Sequence, residues 1–249
     1  MDISDIVRNF RVFAGNNYRV EKDKPEEKAR YNGLNKAGAN RDNNDNITLK
    51  EYLEYLQKTK PELQITQVDL QYAENIDGLM NNKAPFLREY FATTLGIPGN
   101  KLVVPALIDA MKDENPFVRS NVVSALGRTG DKIAVNIFIE ALKNDNNKSV
   151  RGYAAFYLGE LGDRSAIPAL KNAMQNDVEW DVRISAAAAL GHLGEKSGFT
   201  ALTEALKNER DDWRIFTITL SLESIQKTLT PNDPTYQEIE RALKASGQH

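Results

Sequence analysis

The 249-residue chain contains no cysteine and only two histidines. The first absence excludes disulfides, thiolate zinc sites, iron–sulfur clusters and cysteine nucleophiles. The second removes most histidine-based metal sites, because His249 is the last residue and His192 would stand alone. An excess of either charge is also missing: Lys+Arg 32 against Asp+Glu 35 leaves −3 at pH 7. No bulk basic field is therefore expected to hold a nucleic-acid backbone. No apolar run approaches the ~18–20 residues of a membrane span. The stretch MDISDIVRNF carries acidic residues where a signal peptide would be basic, so the expectation is a cytoplasmic protein unless a leader has been removed. Neither a Gly-x-Ser-x-Gly turn nor a Gly-x4-Gly-Lys-Ser/Thr phosphate loop occurs, and a nucleophilic triad would need His192. The expectation is a protein that is not an enzyme.

What is abundant is self-similarity. Pro85-Phe86-Leu87-Arg88 returns as Pro116-Phe117-Val118-Arg119, and a hydrophobic-Arg pair recurs as Val150-Arg151, Val182-Arg183 and Trp213-Arg214. The arginines stand 31, 32, 32 and 31 residues apart. Eight residues after four of them come Gly96, Gly127, Gly159 and Gly191, and three further on Gly99, Gly130, Gly162 and Gly194. Ala110-Met111, Ala141-Leu142, Ala173-Met174 and Ala205-Leu206 keep the same beat upstream. A fixed period of this length marks a repeat protein.

Each period reads as two helices. In the first, Ile167, Leu170, Ala173 and Met174 fall at helical spacing, with Pro168 near the start where its missing N–H costs nothing. In the second, Val182, Ala186, Ala187 and Leu190 share a face, and Gly191 and Gly194 are expected to stop the helix. Neither helix can bury its apolar face alone, so the units must stack into a continuous core. The fold class expected is all-α: an α-solenoid of about five two-helix units over residues 66–229. Thr66-x-x-Asp69 reads as a capping box that opens it. Residues 230–249 read as a C-terminal capping helix and tail, with Asp233 as N-cap before Pro234.

The pattern Asp-x5-Arg-x2-Ala-Ala-x2-Leu-Gly-x-Leu-Gly, clearest in Asp177 to Gly194 and Asp145 to Gly162, resembles HEAT-type repeats of the short, PBS-lyase-like kind. The resemblance covers roughly residues 70 to 227. It implies an interaction scaffold with a protein partner. Some members of the family, the phycobilin lyases, attach bilin chromophores to protein cysteines, which implies a chromophore-lyase-like subunit as the alternative.

Residues 1–65 read as a separate N-terminal helical region. Within it, residues 40–51 place Asn40, Asp42, Asn44, Asn46, Thr48 and Glu51 at positions 1, 3, 5, 7, 9 and 12 of a twelve-residue loop, with Ile47 at position 8. Calcium requires that spacing of oxygens and a closing bidentate glutamate. The stretch resembles an EF-hand loop, and Glu51 would open an exiting helix with Tyr52, Tyr55 and Leu56 on one face. The loop departs from the pattern with Asn40 in place of Asp and Asp45 in place of Gly, and no second loop accompanies it. The other reading is an Asn/Asp-rich turn without metal, since these residues favour turns by themselves. The cofactor expected on the first reading is Ca2+; the third functional alternative is a plain HEAT interaction module without metal.

Two columns bear on partner binding. If positions three, four and seven after each arginine are buried, positions two and five after it face outward along the inner surface. These are Tyr90, Asn121, Tyr153, Ser185 and Phe216, then Thr93, Ser124, Phe156, Ala188 and Thr219. Tyr90, Asn121, Tyr153, Phe156 and Phe216 form a candidate protein-binding stripe, because interface hot spots favour aromatic rings. Packing of these rings within or between repeats is the alternative. The arginines themselves are read as an internal ladder with Asp113, Asp145 and Asp177, and His192 as a surface or cap residue.

Overall fold

The computed structural model describes residues 48–59, 65–100 and 103–246. The calcium-loop residues Asn40, Asp42, Asn44 and Asn46 lie outside the described residues, as do the side chains of Tyr52 and Tyr55. The described residues form twelve α-helices and one short 3-10 turn, with no strand. The chain divides into two compact units, Met1–Asp131 and Lys132–His249.

The first unit holds α1 (Leu49–Thr59), α2 (Gln67–Asn81), α3 (Pro85–Leu95), α4 (Val104–Ala110) and α5 (Pro116–Thr129). Helix α1 starts at Leu49, two residues before the expected Glu51, and buries Leu49, Leu53 and Leu56 at helical spacing. Its start is capped twice. Thr48 N–H donates to Glu51 Oε2 at 2.8 Å while Glu51 N–H donates to Thr48 Oγ1 at 3.2 Å. The Asp77 carboxylate of α2 also accepts from Leu49 N–H at 3.1 Å and Lys50 N–H at 3.2 Å. Helix α2 opens on the expected box, with Thr66 Oγ1 accepting from Asp69 N–H and Asp69 Oδ2 from Thr66 N–H. Helix α1 packs on α2, α2 on α3, and α3 and α4 on α5, around Leu53, Ile76, Leu95, Leu107 and Leu126.

The second unit holds α6 (Ala134–Asn144), α7 (Lys148–Leu161), the 3-10 turn Arg164–Ala166, α8 (Ile167–Asn176), α9 (Trp180–His192), α10 (Lys196–Asn208), α11 (Asp212–Lys227) and α12 (Pro234–Ala245). Hairpins α6/α7, α8/α9 and α10/α11 stack with second helices side by side, α7 on α9 and α9 on α11. This is the hairpin stacking of an α-solenoid. Helix α12 lays Ile239 and Leu243 onto a cluster of Phe199, Leu202, Leu206, Ile218 and Leu222. Each such leucine, fully buried, is worth about 1.5–3 kcal/mol relative to exposure.

The two glycine columns have different causes. Gly162 and Gly194 carry φ +70 and +75 and end their helices in the left-handed region, as expected. Gly191 does not stop α9, which runs on to His192. A Cβ at Gly191 would strike the Ile225 side chain of α11, and one at Gly159 would lie 2.8 Å from Ala189 Cα of α9. The earlier glycine column is therefore set by close approach between neighbouring second helices.

The burial register predicted after each arginine holds in α5 (Val122, Val123, Leu126), α7 (Ala154, Ala155, Leu158) and α9 (Ala186, Ala187, Leu190). Helix α11 departs from it. It buries Ile218, Thr219, Leu222 and Ile225, so it is rotated about its axis by roughly one residue, ~100°.

Candidate functional site

The arginine column is built into the turns. In DENPFVR, Asp113 Oδ1 accepts from Asn115 N–H at 2.8 Å, and Asn115 Oδ1 caps α5 by accepting from Phe117 N–H at 2.8 Å. DNNKSVR repeats the arrangement through Asp145, Asn147 and Ser149 at 2.8 and 2.9 Å. The arginine then closes its own turn: Arg119 Nη1 donates to Asp113 O at 2.8 Å, Arg151 to Asp145 O at 2.9 Å, and Arg183 to Asp177 O at 2.8 Å. In two rungs the remaining donors reach the aspartate of the following repeat. Arg151 Nε and Nη2 meet Asp177 Oδ2 and Oδ1 at 2.7 and 2.9 Å, and Arg88 meets Asp113 with the same two distances. These pairs are buried, with side-chain exposures of 8–11%. Burial alone would push the Asp177 carboxyl up. Arg151, the Glu179 N–H and the charge of Arg183 outweigh it and hold Asp177 below the usual aspartate range. The ladder is structural, as expected, and offers no open anion site at these rungs.

Arg214 leaves the ladder. The aspartate of the turn is replaced by Glu209, whose extra methylene lets its carboxylate fold back onto Arg210 N–H at 2.9 Å and Asp211 N–H at 3.1 Å. Arg214 instead lies over the Trp180 ring, 4.9 Å from its centroid, with Glu209 at 3.7 Å. His192 sits in the last turn of α9, its Nδ1 3.5 Å from Glu160 Oε1, as a cap-type residue would.

The stripe residues are outward but unequal. Tyr90 is 61% exposed, and Tyr153, Phe156 and Phe216 are each close to half exposed. Asn121 is half-buried and breaks the column on α5. Thr219, expected outward, is buried by the rotation of α11. Sequence reasoning missed Phe86, Phe117, Trp213 and Leu220, which are as exposed as the residues it named. The signal was available for two of them: Phe86 and Phe117 precede an arginine by two residues, about 200° around the helix from it. Every strongly exposed aromatic ring among the described residues (Phe86, Tyr90, Phe117, Tyr153, Phe156, Trp213 and Phe216) stands on a second helix.

Of the six calcium-loop residues, only Thr48 and Glu51 are described, and the capping box on α1 accounts for both. No cluster of three or more His, Cys, Asp or Glu suited to a metal is present among the described residues. No helix there is long and apolar enough to cross a membrane.

The chain is similar to a chain in the complex of CpcE and CpcF of phycocyanin lyase from Nostoc sp. PCC7120, at 25% identity and TM-score 0.48, over 60% of this chain and 96% of that one. It is also similar to human deoxyhypusine hydroxylase at 14% identity and TM-score 0.29, over 90% and 97% of the two chains. No curated protein matches it. The expectation that the protein is not an enzyme is withdrawn: lacking a triad and a phosphate loop excludes those two chemistries and no others, and one of the similar chains comes from a lyase complex. HEAT repeats match residues 73–146 and 135–223, more than half of the sequence, and the chain belongs to the HEAT-repeat family.

Proposed function

We propose that this protein is an interaction scaffold that presents the outward face of its second helices to a protein partner. One observation carries the reading: the strongly exposed aromatic rings of the described residues are confined to those helices, and the first helices carry none. Solvated rings are costly unless something covers them, and interface anchors are enriched in Tyr and Trp. The buried arginine ladder holds the turns that set the pitch of that face. As a separate part of the proposal, residues 40–51 take up one calcium ion, with Glu51 as the closing ligand.

The test is crosslinking of the intact protein to its partner in a native extract, comparing wild type with Phe86→Ser/Tyr90→Ser and with Phe156→Ser/Phe216→Ser. A partner lost in either variant, with unchanged melting temperature, supports the scaffold. A partner retained equally by both overturns it. The calcium part is read by terbium luminescence against Glu51→Gln, and an unchanged titration in the variant ends it.

A further inference from the structure

The second unit arranges its exposed rings as two ridges with a low floor between them. Tyr153 and Phe156 stand on α7. On α11, Trp213, Phe216 and Leu220 follow one another at helical spacing and point away from the buried Ile218 and Leu222. Between the ridges, the middle of α9 presents the small side chains Ser185 and Ala188, both half-buried. Packed helices lie about 8–10 Å apart, so ridges on either side of α9 are separated by about 16–20 Å. A helix with its side chains is about 10–12 Å across and fits that width.

Charge narrows the occupant. The groups around the trough are Lys148 and Glu160 on α7, Glu179, Asp181 and His192 at the ends of α9, and Asp212, Arg214, Glu223 and Lys227 on α11. Lys148 Nζ is answered by two carboxylates, Asp181 at 3.3 Å and Glu179 at 3.7 Å. Glu160 occupies the last turn of α7, where the helix dipole disfavours a carboxylate, and His192 Nδ1 of α9 lies 3.5 Å from it. Five carboxylates stand there against the three cations Lys148, Arg214 and Lys227, so the rim is net acidic. An anionic membrane or a nucleic-acid backbone would be repelled there.

We propose that this trough receives an amphipathic helix of a partner protein whose apolar face is flanked by lysine or arginine. The inference rests on the scaffold reading and specifies its partner. A cleft of about 340 Å3 between α7 and α9, lined by Lys148, Tyr153, Phe156, Asp181 and Ser185, takes one anchoring side chain of that helix. Phe156 meets Tyr157 edge-on at 5.0 Å and so forms a fixed wall of the cleft. Helix-in-groove recognition of this type reads apolar anchors at i, i+3/i+4 and i+7.

The experiment titrates the full chain with a fluorescent 18-residue Leu/Lys peptide of helical period and with its Leu/Glu counterpart, reading anisotropy and Trp213 emission. The Leu/Lys peptide is expected to bind with a blue shift that Trp213→Phe removes. Phe156→Ser/Phe216→Ser, which leaves charge unchanged, should weaken binding by about tenfold or more. Glu160→Gln/Asp181→Asn should weaken it severalfold, and Phe86→Ser/Tyr90→Ser should not. Equal binding of the Leu/Glu peptide, full affinity in Phe156→Ser/Phe216→Ser, or no binding of either peptide overturns the inference. So does capture by phosphatidylcholine/phosphatidylserine vesicles or duplex DNA that depends on Phe156 and Phe216. Loss of a crosslinked native partner in Phe156→Ser/Phe216→Ser, without peptide binding, would leave the scaffold standing and remove only the basic helix.

Discussion

A single guanidinium in this fold answers two separate demands. Arg151 closes its own turn through Asp145 O and clamps the next turn through Asp177, so its removal strands a buried carboxylate. Breaking a buried pair from one side costs about 3–5 kcal/mol, and residual solvent contact lowers that here to about 2–4 kcal/mol. Arg151→Ala is expected to lower the urea midpoint accordingly, while Arg151→Lys, without the planar fork, recovers only part of it. The pair also sets an acid limit. With the folded-state pKa of Asp177 depressed, the unfolded chain binds the proton more readily, so stability rises with pH through this region. The contribution is complete above the ordinary aspartate range and is lost as pH falls through the folded value. Urea titrations taken downward from about pH 4 should therefore narrow the gap between wild type and Arg151→Ala to what the bond to Asp145 O contributes. A gap that keeps its neutral-pH size would show that the carboxylate is not what the arginine stabilises. At the other end of the described chain, Thr48→Ala should cost about 1 kcal/mol through the lost cap of α1, with or without calcium. This is why Thr48 and Glu51 were legible in the sequence as a motif but not as a function: a capping box and the last third of a calcium loop ask for the same residue types at the same spacing.

Helices and turns were legible wherever one physical cause wrote one column. The capping box at Thr66, the Asn caps of α5 and α7, and the burial register of three second helices all follow from local rules. The glycine columns show where such reading stops. Both look like helix stops, and only neighbours in space distinguish them: Gly162 has φ +70 with open space around it, whereas Gly159 has a helical backbone and Ala189 against it. Substitution separates the two. Gly162→Ala should cost about 1–2 kcal/mol, the strain of a Cβ in the left-handed region, and leave the packing of α7 on α9 intact. Gly159→Ala places a methyl 2.8 Å from a backbone atom that no rotamer change can move, so α7 and α9 must part, at about 1–3 kcal/mol. The difference is checked by side-chain methyl NMR: shifts at Leu158 and Leu190 are expected for Gly159→Ala and not for Gly162→Ala. Helix α11 shows the same limit from another direction. Its Trp213-Arg214 pair keeps the beat of the repeat, but Glu209 replaces the turn aspartate and α12 replaces a following hairpin. The sequence column stayed in phase while the helix turned, which exposed Trp213 and Leu220 and buried Thr219.

Across the whole molecule, a repeat array distributes its stability as local terms plus nearest-neighbour interfaces, not as one indivisible core. The period disclosed that architecture, because hairpins repeated at a fixed spacing and apolar on one side bury that side by stacking each on the next. What a period cannot disclose is how evenly the terms are spread. The cluster around Leu202 joins Ile184 of α9, Phe199 and Leu206 of α10, Ile218 and Leu222 of α11, and Ile239 and Leu243 of α12. Leu202 is fully buried at its centre. Leu202→Ala removes three carbons' worth of contact from that cluster and should cost about 2–5 kcal/mol. In a linear array the loss falls first on the helices that share the cluster. Native-state hydrogen exchange should then show faster exchange in α10, α11 and α12, with the amides around Val122, Val123 and Leu126 of the first unit keeping wild-type protection. The urea transition should broaden or split rather than shift as one. A uniform loss of protection over residues 66–246 would instead mean that the chain unfolds as a single cooperative body, and the exposed aromatic face of the second unit would then owe its order to every hairpin before it.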